Sequence, residues 1–423
     1  MGPMDIVALL EKEVVPAIGC TEPVAIALAS AHAFNLIKGE VKKINMKISS
    51  NVYKNAKAVG IPGTDHTGIE MALALGTSIN EPVYDLTILA HLTKDDIHRA
   101  LEVRDNIPMD MEVLYDCPKV YIDVEIITAD GLSRAIISDR HTNLVFLQRN
   151  NQTLLDKRSK LKSDKQDESI TKYSLEKLIS KVLTIPFSSL EFLLEGIDVN
   201  MAMAKAGMEM KVGMNIGSSW RRLADRGLLG NDLNNDITCH TAAACDARMA
   251  GVNLPVMSSS GSGNNGLIAI IPIARVAEKF DFPREEVAQA LAISHLVNSY
   301  IKEYIGRLSP ICGCGVAAGA GAAAGISFIM GGDMSDINRA IVNVLSSLAG
   351  MICDGGKVGC SLKLSASAGM AWQGAILASE GVEVPVGNGI VASDLQETLE
   401  NLRKLSQEGM AHVDRSVISV MCN

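Results

Sequence analysis

The sequence is poor in aromatic side chains and lacks the runs that mark several protein classes. Aromatic residues make up 4% of the 423 residues, although hydrophobic residues reach 48%. Packing must therefore rely on aliphatic side chains and on 19 methionines, which favours closely packed helices. The formal net charge is −9 and there is no long run of Lys and Arg, which argues against a nucleic-acid or anionic-membrane surface. Small-molecule chemistry remains as the favoured function class.

The sequence also shows no export signal and no membrane span. Asp5, Glu11 and Glu13 lie where a secretory signal would need a basic flank and an unbroken apolar stretch. The most apolar run, 315–330, is shorter than the ~20 residues that a spanning helix needs. We expect a soluble, cytoplasmic protein that binds neither nucleic acid nor membrane. In a reducing compartment, its nine cysteines are expected to be thiols or thiolates.

Hydrophobic patterning predicts an α+β fold, with a small α/β sheet and a large, mainly helical part. Alternation of β-branched residues predicts strands at 41–49, 119–131 and 134–150, with a hairpin turn at Asp130-Gly131. Short helices are predicted at 68–76 and 93–104. Longer helices are predicted at 4–17, 283–305 and 335–349, with a cap at Ser174 and a capping box at Ser393 and Gln396.

A chain of 423 residues is longer than a single hydrophobic core usually supports, so more than one domain is expected. The predicted elements divide the chain into four segments. The segment 1–35 holds an N-terminal helix and a cysteine loop, which we expect to pack on the helical domain. A small α+β domain follows at 36–150. The polar, weakly periodic stretch 151–172 predicts a linker or an exposed excursion. The helical catalytic domain spans 173–423.

Glycine-flanked cysteines are the main chemical signal. They occur in "AIGCTEPVA" (17–25), "ICGCG" (311–315) and "MICDGGKVGC" (351–360). Glycine lets backbone N–H groups approach a thiolate, which helps to tune a metal cluster. Cys20 precedes a helix that we expect to begin near Pro23, where the helix dipole would favour a thiolate. This distribution suits a cluster with three protein ligands and an open iron better than zinc, because Cys-x₂-Cys pairs are missing.

Two polar, glycine-rich loops are candidate binding sites. "PVMSSSGSGNNGLIAIIPI" (255–273) could hold a carboxylate or a phosphate through small polar side chains and backbone N–H groups. "SSNVYKNAKAVGIPGTDHTG" (49–68) is a candidate lid or anchor. The candidate residues are Ser260, Ser262, Asn264 and Asn265 in the first loop, and Lys54, Asn55, Thr64 and His66 in the second. For Cys117, Cys239 and Cys245 we expect a buried structural role.

The motifs "GCTEPVA", "PVMSSSGSGNNG", "LSPICGCGVAAG" and "MICDGGKVGC" together resemble the L-cysteine desulfidase family, which is related to the iron–sulfur L-serine dehydratase alpha chain. The resemblance spans nearly the whole chain. It implies a [4Fe–4S] lyase that eliminates a β-leaving group from a small amino acid, giving pyruvate, ammonia and, from cysteine, sulfide. It also implies that the tract of Ala and Gly after Cys314 lets helices approach closely around the cluster. A homodimer is kept as the candidate assembly.

The resemblance also assigns residues. Its cluster ligands carry over to Cys20, to one of Cys312 and Cys314, with Cys314 favoured, and to Cys353. The reserve ligands are Cys360, which lies where the dehydratases have a further cysteine, and Cys422, which resembles a C-terminal blocking cysteine in position. "HTNLVF" (141–146) resembles a dehydratase motif and places His141 and Asn143 at the site's rim. Candidate bases for the Cα proton are Lys357, His66 and His141.

Three alternative functions remain open at the level of sequence. The first is an L-serine dehydratase-like deaminase, although Gly355-Gly356-Lys357 departs from the dehydratase pattern and puts a direct transfer of serine specificity in doubt. The second is a pyridoxal-phosphate lyase that uses a lysine, with "SGSGNNG" holding the phosphate. The third is a non-catalytic iron–sulfur or amino-acid sensor.

Overall fold

The computed structural model describes residues 4–80, 88–89, 92–158 and 169–421. Helices dominate and are combined with one mixed sheet, which confirms the predicted α+β class. Within the described ranges, no helix combines the length and the apolar character needed to cross a membrane.

The main sheet has six strands in the order β3-β2-β4-β5-β6-β7. Strand β2 pairs in parallel with β3, whereas the other neighbours are antiparallel. A second, two-stranded sheet joins β1 to β8. The strands are β1 (Pro16–Ile18), β2 (Val41–Ser49), β3 (Met109–Leu114), β4 (Tyr121–Thr128), β5 (Gly131–Ser138), β6 (Leu144–Arg149), β7 (Gln152–Asp156) and β8 (Pro255–Met257).

The predicted strands are found with three differences. The hairpin at Asp130-Gly131 is confirmed and joins β4 to β5. The strand expected at 134–150 is two strands, because Asp139 adopts a positive φ of 68° and turns the chain. Strand β3 was not predicted. Strand β7 lies within the expected linker 151–172. It is an edge strand with mostly exposed side chains, so its sequence shows no hydrophobic alternation.

Sixteen helices surround these sheets in the described residues, together with single 3-10 turns and π-helical turns at Cys314–Ala318 and Leu405–Gly409. Their bounds are α1 (Ile6–Glu13), α2 (Thr21–Ile37), α3 (Ser50–Ala56), α4 (Ile69–Ser78), α5 (Lys94–Asn106), α6 (Leu175–Val182), α7 (Glu195–Glu209), α8 (Ile216–Asp225), α9 (Leu233–Met249), α10 (Gly263–Phe280), α11 (Arg284–Ile305), α12 (Gly319–Ile329), α13 (Met334–Leu348), α14 (Cys360–Ser379), α15 (Leu395–Lys404) and α16 (Val413–Met421).

One of the two predicted helix caps is found in the structure, and the other lies one residue away from the predicted position. The Ser174 hydroxyl accepts a hydrogen bond from the Lys177 N–H and caps α6, as predicted. The capping box expected at Ser393 is wrong by one residue. Asp394 caps α15 and accepts from the Glu397 N–H at 2.8 Å, because a carboxylate is the stronger acceptor.

Two hydrophobic cores organise the chain, and the segment 1–35 contributes to both. Ile6 and Leu10 of α1 join the helical core, whereas α2 packs with α4 on one face of the six-stranded sheet. Ile418 of α16 joins the sheet core, so the C-terminal helix returns to the first part of the chain. The division into four segments therefore stays a prediction. We expected the whole segment 1–35 to pack on the helical domain, whereas α2 packs in the sheet core.

The small residues of α12 allow a close helix crossing. A Cβ atom on Gly321 would lie 2.4 Å from the Ser294 carbonyl oxygen, and one on Gly325 would lie 2.6 Å from the Ala290 carbonyl oxygen. Both carbonyls belong to α11, so glycine is required at each position. This contact fixes α11 beside the loop that carries Cys312 and Cys314.

Candidate active site

Two cysteine motifs that are distant in sequence lie side by side. Ile311 and Ile352 form an isolated antiparallel bridge. The Cys312 N–H donates to the Met351 carbonyl at 2.8 Å, and the Cys353 N–H donates to the Pro310 carbonyl at 2.6 Å. These backbone bonds bring "ICGCG" against "MICDGGKVGC", so the two motifs form one structural unit.

Four thiols interact in this unit, and the pKa values of three are raised. The pKa of Cys312 is well above its ordinary value because of its hydrogen bond with Cys314, and then because of burial. Burial is the main cause that raises the pKa of Cys353, and it raises the pKa of Cys360 to about 11. Cys312 acts electrostatically on both of the latter residues. We call Cys312, Cys314, Cys353 and Cys360 the thiol group.

Cations lie around the thiol group. Lys54 is buried, pairs with Asp414 of α16 at 2.5 Å and lowers the pKa of Cys353 against the effect of burial. The loop after Cys353 can lie on α3 because Gly355 has a φ of 95° and a Cβ there would lie 2.1 Å from the Lys54 carbonyl oxygen. We expected Lys54 to belong to a lid or an anchor. It lies beneath this loop and is buried.

Cys20 lies in a second cluster of polar groups. It occupies the N-cap position of α2 without a side-chain capping bond, and α2 begins at Thr21, two residues before the predicted start. Its thiol donates to Glu22 at 2.9 Å, and burial, followed by the charge of Glu22, raises the pKa of Cys20 well above its ordinary value. The expected stabilisation of a thiolate by the helix dipole is therefore outweighed. Glu22 also accepts from the Asn55 side chain at 2.9 Å.

His141 faces the same carboxylate. Its Nε2 atom lies 3.9 Å from Glu22 Oε1 and is buried without a hydrogen-bond partner among the described residues. Burial alone would raise the pKa of Glu22, but His141 and the hydrogen bonds from Cys20 and Asn55 hold it below its ordinary value. The result is a buried carboxylate with a histidine beside it.

Arg248 links this second cluster to the loop at 258–265. Its guanidinium donates to the Gly19 carbonyl at 2.6 Å and to the Asn264 side chain at 2.9 Å. A Cβ on Gly263 would lie 2.4 Å from Arg248 Nε, so glycine makes room for the guanidinium. Nε itself has no partner among the described residues. Arg248 thus joins the Cys20 loop to the first of the predicted binding loops.

The side chains of the 258–265 loop are largely engaged with each other and with α11. Ser259 bonds His295 and Asn298, each at 2.8 Å, and Ser260 bonds Ser299 at 2.7 Å. Burial lowers the pKa of His295 to about 3, so this histidine is neutral. Asn265 is buried with its Nδ2 atom 3.5 Å from Asn298. Ser262 Oγ lies 3.8 Å from Cys314 Sγ, which connects the loop to the thiol group.

Several predicted residues are engaged elsewhere. Lys357 pairs with Asp354, next to Cys353. Thr64 donates to the Ile61 carbonyl at 2.9 Å and accepts from the His66 N–H, so it shapes its own loop. Asn143 donates to the Ser138 carbonyl at 2.9 Å and shapes the turn before β6. The reserve ligand Cys422 lies outside the described residues.

Sequence reasoning missed three charged residues of this region, Glu22, Arg248 and Lys302. Glu22 stands inside a quoted motif but was not weighed as a functional group. A detectable signal for Lys302 was its spacing from His295 and Asn298, because steps of three and four residues place side chains on one helix face. Arg248 had no comparable signal.

Comparison with known proteins identifies the family. The model of the serine dehydratase alpha chain family matches residues 85–419. A UPF0597 protein of Clostridioides difficile (strain 630) is 43% identical over 418 residues, which cover 98% of each chain. UPF0597 proteins of Alkaliphilus metalliredigens and Alkaliphilus oremlandii are 43% and 41% identical, cover 98% of this chain, and are themselves covered to 94% and 97%. These names specify no reaction.

The family match supports a lyase with a dehydratase-like function in amino-acid catabolism, and the family is generally iron–sulfur dependent. The thiol group and the adjoining polar clusters provide the chemistry expected of such an enzyme. The chain belongs to the serine dehydratase alpha chain family.

Proposed function

We propose that the chain catalyses iron–sulfur-dependent β-elimination of L-cysteine to pyruvate, ammonia and sulfide. The observation that carries the proposal is the convergence of Cys312, Cys314, Cys353 and Cys360 into one group beside polar loops. Family membership supports the lyase class. L-cysteine is preferred over L-serine because of the motif resemblance described above.

The donor set fits a four-iron cluster. Within the described ranges, no three side chains of His, Cys, Asp or Glu could share a single metal ion. In a cluster, however, each thiolate binds a different iron, so the thiols need not share one coordination sphere. The proposed ligands are Cys353, one of Cys312 and Cys314, and a third from Cys20 or Cys360. Support for Cys360 is its electrostatic interaction with Cys312 and Cys353.

When bound, the cluster would supply a Lewis acid for the departing sulfur. The chain would remove the proton from Cα, and His141 is the proposed base because its Nε2 atom is buried and uncommitted beside Glu22. Lys357 is a weaker candidate because it is held by Asp354. His66 remains the third candidate. Breaking Cα–H and Cβ–S gives aminoacrylate and sulfide, and water then converts aminoacrylate into pyruvate and ammonia.

The residues of the two binding loops have proposed roles in holding the amino acid. Asn264 and Ser262 connect the 258–265 loop to Arg248 and Cys314, whereas Asn55 lies on Glu22. We also propose a cytoplasmic homodimer. A reducing compartment is consistent with the eight described cysteines, which are all free thiols. Light scattering of the purified chain would test the assembly.

An anaerobic assay tests the proposed reaction. The chain is reconstituted with iron and sulfide, washed free of excess, and given L-cysteine or L-serine. We expect pyruvate and sulfide in equal amounts from L-cysteine and a lower kcat/KM for L-serine. Pyruvate from L-serine with no turnover of L-cysteine would replace this proposal by the dehydratase alternative, which the family name favours. An absorbance spectrum and a reduction with borohydride would reveal pyridoxal phosphate, and ligand binding without turnover would indicate a sensor.

A further inference from the structure

Lys302 of α11 carries an ammonium group that is buried in the candidate site without a bound carboxylate. The residue is 5% exposed. Its hydrogen bond to the Ser260 carbonyl is long, at 3.4 Å, and no ion pair within 4.0 Å is formed with another described residue. A buried cation is costly unless an anion compensates it, so the position calls for a partner.

The carboxylate that acts electrostatically on Lys302 is already paired with an arginine. Glu13 is buried and acts electrostatically on Lys302, but its carboxylate accepts a hydrogen bond from Arg307. Burial lowers the pKa of Lys302 in spite of Glu13. The protein's own acids therefore leave this ammonium uncompensated in the described part of the chain.

Lys302 also lies where a ligand could reach it. A Cβ on Gly313, between Cys312 and Cys314, would lie 3.6 Å from Lys302 Nζ. Gly313, Cys314 and Ser262 are partly exposed, so the ammonium lies beneath residues that face solvent. Cys314 and Cys353 both act on it electrostatically, which places it beside the thiol group.

The loop at 258–265, next to Lys302, contains no charged side chain. Ser260 has a positive φ of 48°, and its hydroxyl is held by Ser299 and by Asn298. Ser259 is likewise engaged by His295 and Asn298. The hydroxyls of this loop are thus committed within the protein, which leaves the Lys302 ammonium as the charged donor next to Gly313 and Cys314.

We propose that Lys302 forms the subsite for the α-carboxylate of the amino-acid substrate. The inference rests on the proposed function, because it assumes that the ligand is a small amino acid. A carboxylate on Lys302 would hold such a molecule beside Cys314 and Cys353. The subsite would select for α-amino acids and against their amides, since an amide carries no charge to pair with the ammonium.

Calorimetric binding tests this subsite apart from turnover. The anaerobically reconstituted chain is titrated with L-alanine, which has no β-leaving group, and with L-alaninamide, which lacks the carboxylate. We expect Lys302→Met to weaken L-alanine binding at least tenfold and to leave L-alaninamide binding unchanged. Lys302→Arg keeps the charge and should restore most of the affinity. Lys279→Met, at an exposed position in the last turn of α10, is the matched control and should change neither.

The outcomes separate the subsite from the proposed reaction. Equal L-alanine affinity in the folded Lys302→Met variant and the parent, or no L-alanine binding by the parent, would overturn the subsite. A variant that loses iron but still prefers L-alanine over L-alaninamide would make Lys302 a counterion of the cluster, which also overturns it. Loss of L-alanine binding on Lys302→Met in a chain that does not turn over L-cysteine would support the subsite and reject the reaction.

Discussion

Arg134 of the sheet and two cations of the candidate site, Arg248 and Lys302, differ in whether they have an acidic partner. On the sheet, Arg134 is 32% exposed and donates to both oxygens of the buried Asp123, at 2.8 and 2.6 Å. In the site, Arg248 and Lys302 are 4% and 5% exposed, and neither forms an ion pair with a described acidic residue. Stability alone would favour the opposite, because the more deeply buried cation needs its counterion more. Under the proposed function, these two cations would face the anionic cluster or the substrate.

The sharpest way to test this comparison is to remove a thiol beside the unpaired cations. We expect Cys353→Ser to lose most of its iron after reconstitution and all measurable elimination, because thiolate bonds hold the cluster. Iron content, inorganic sulfide and pyruvate release measure the effect. Cys117→Ser is the control, since its thiol lies outside the group and only approaches the Leu114 carbonyl at 3.7 Å. Full activity in Cys353→Ser would remove this residue from the ligands.

Parallel replacement of the two arginines tests the comparison itself. Arg248→Met should lower kcat/KM by about 100-fold, since hydrogen bonds to charged groups contribute about 1.5–3 kcal/mol each. Arg134→Met should leave kcat/KM within twofold and lower the free energy of unfolding by about 2 kcal/mol, because Asp123 would stay buried and unpaired. Denaturant unfolding and steady-state kinetics measure both variants. If the two variants had the same profile, the distinction between the regions would fail.

A smaller effect is expected at Asn264, which accepts from Arg248 at 2.9 Å. Asn264→Ala should lower turnover by about tenfold, on the scale of one or two lost hydrogen bonds, and should leave the cluster spectrum intact. Absorbance and electron paramagnetic resonance spectra provide the second readout. Loss of iron together with activity would make the loop a structural part of the cluster site instead.

Much of the fold could be predicted from the sequence because its cores follow regular periodicities. The range 41–49 matches β2, and the helices α11 and α13 lie within one residue of the predictions. Strands β3 and β7 were not predicted. The side chains of β7, an edge strand, are mostly exposed, so its sequence pattern carries little information on burial. The segment 1–35 was assigned to the helical domain through its first helix, which precedes the sheet, and Ile6 and Leu10 do join that core. The second helix, α2, is apolar on most of its surface, and this pattern does not reveal that it packs in the sheet core.

The site was easiest to predict where the residue type itself is rare. Cysteines next to glycine stand out in a sequence, and the structure brings Cys312, Cys314, Cys353 and Cys360 together. A lysine or arginine in a helix gives no such signal, because most such side chains reach solvent. Glu13, which acts electrostatically on Lys302, is paired with Arg307, and that contact joins residues far apart in the chain.

The smallest predicted effect concerns Asp236, a half-buried carboxylate of α9 that is paired with Arg275. Burial would raise the pKa of Asp236, but hydrogen bonds from His240 and Arg275 outweigh burial and hold it below its ordinary value. A lowered carboxyl pKa stabilises the fold above the unfolded-state value and is lost as the pH falls through the folded-state value. Asp236→Asn should therefore cost about 1 kcal/mol at pH 7, and this cost should disappear as the pH falls through the lowered pKa of Asp236. A constant difference from pH 7 to pH 3 would show that Asp236 contributes through packing.

The central claim, that a cluster on this chain carries the elimination, is tested most directly by titrating cluster content. Aliquots of the iron-free chain are reconstituted anaerobically with increasing iron and sulfide, freed of excess reagent, and assayed for pyruvate and sulfide from L-cysteine. The account predicts that both rates rise in proportion to bound cluster and reach zero in the iron-free chain. A rate that is equally high in the iron-free chain, in the absence of pyridoxal phosphate, would contradict it.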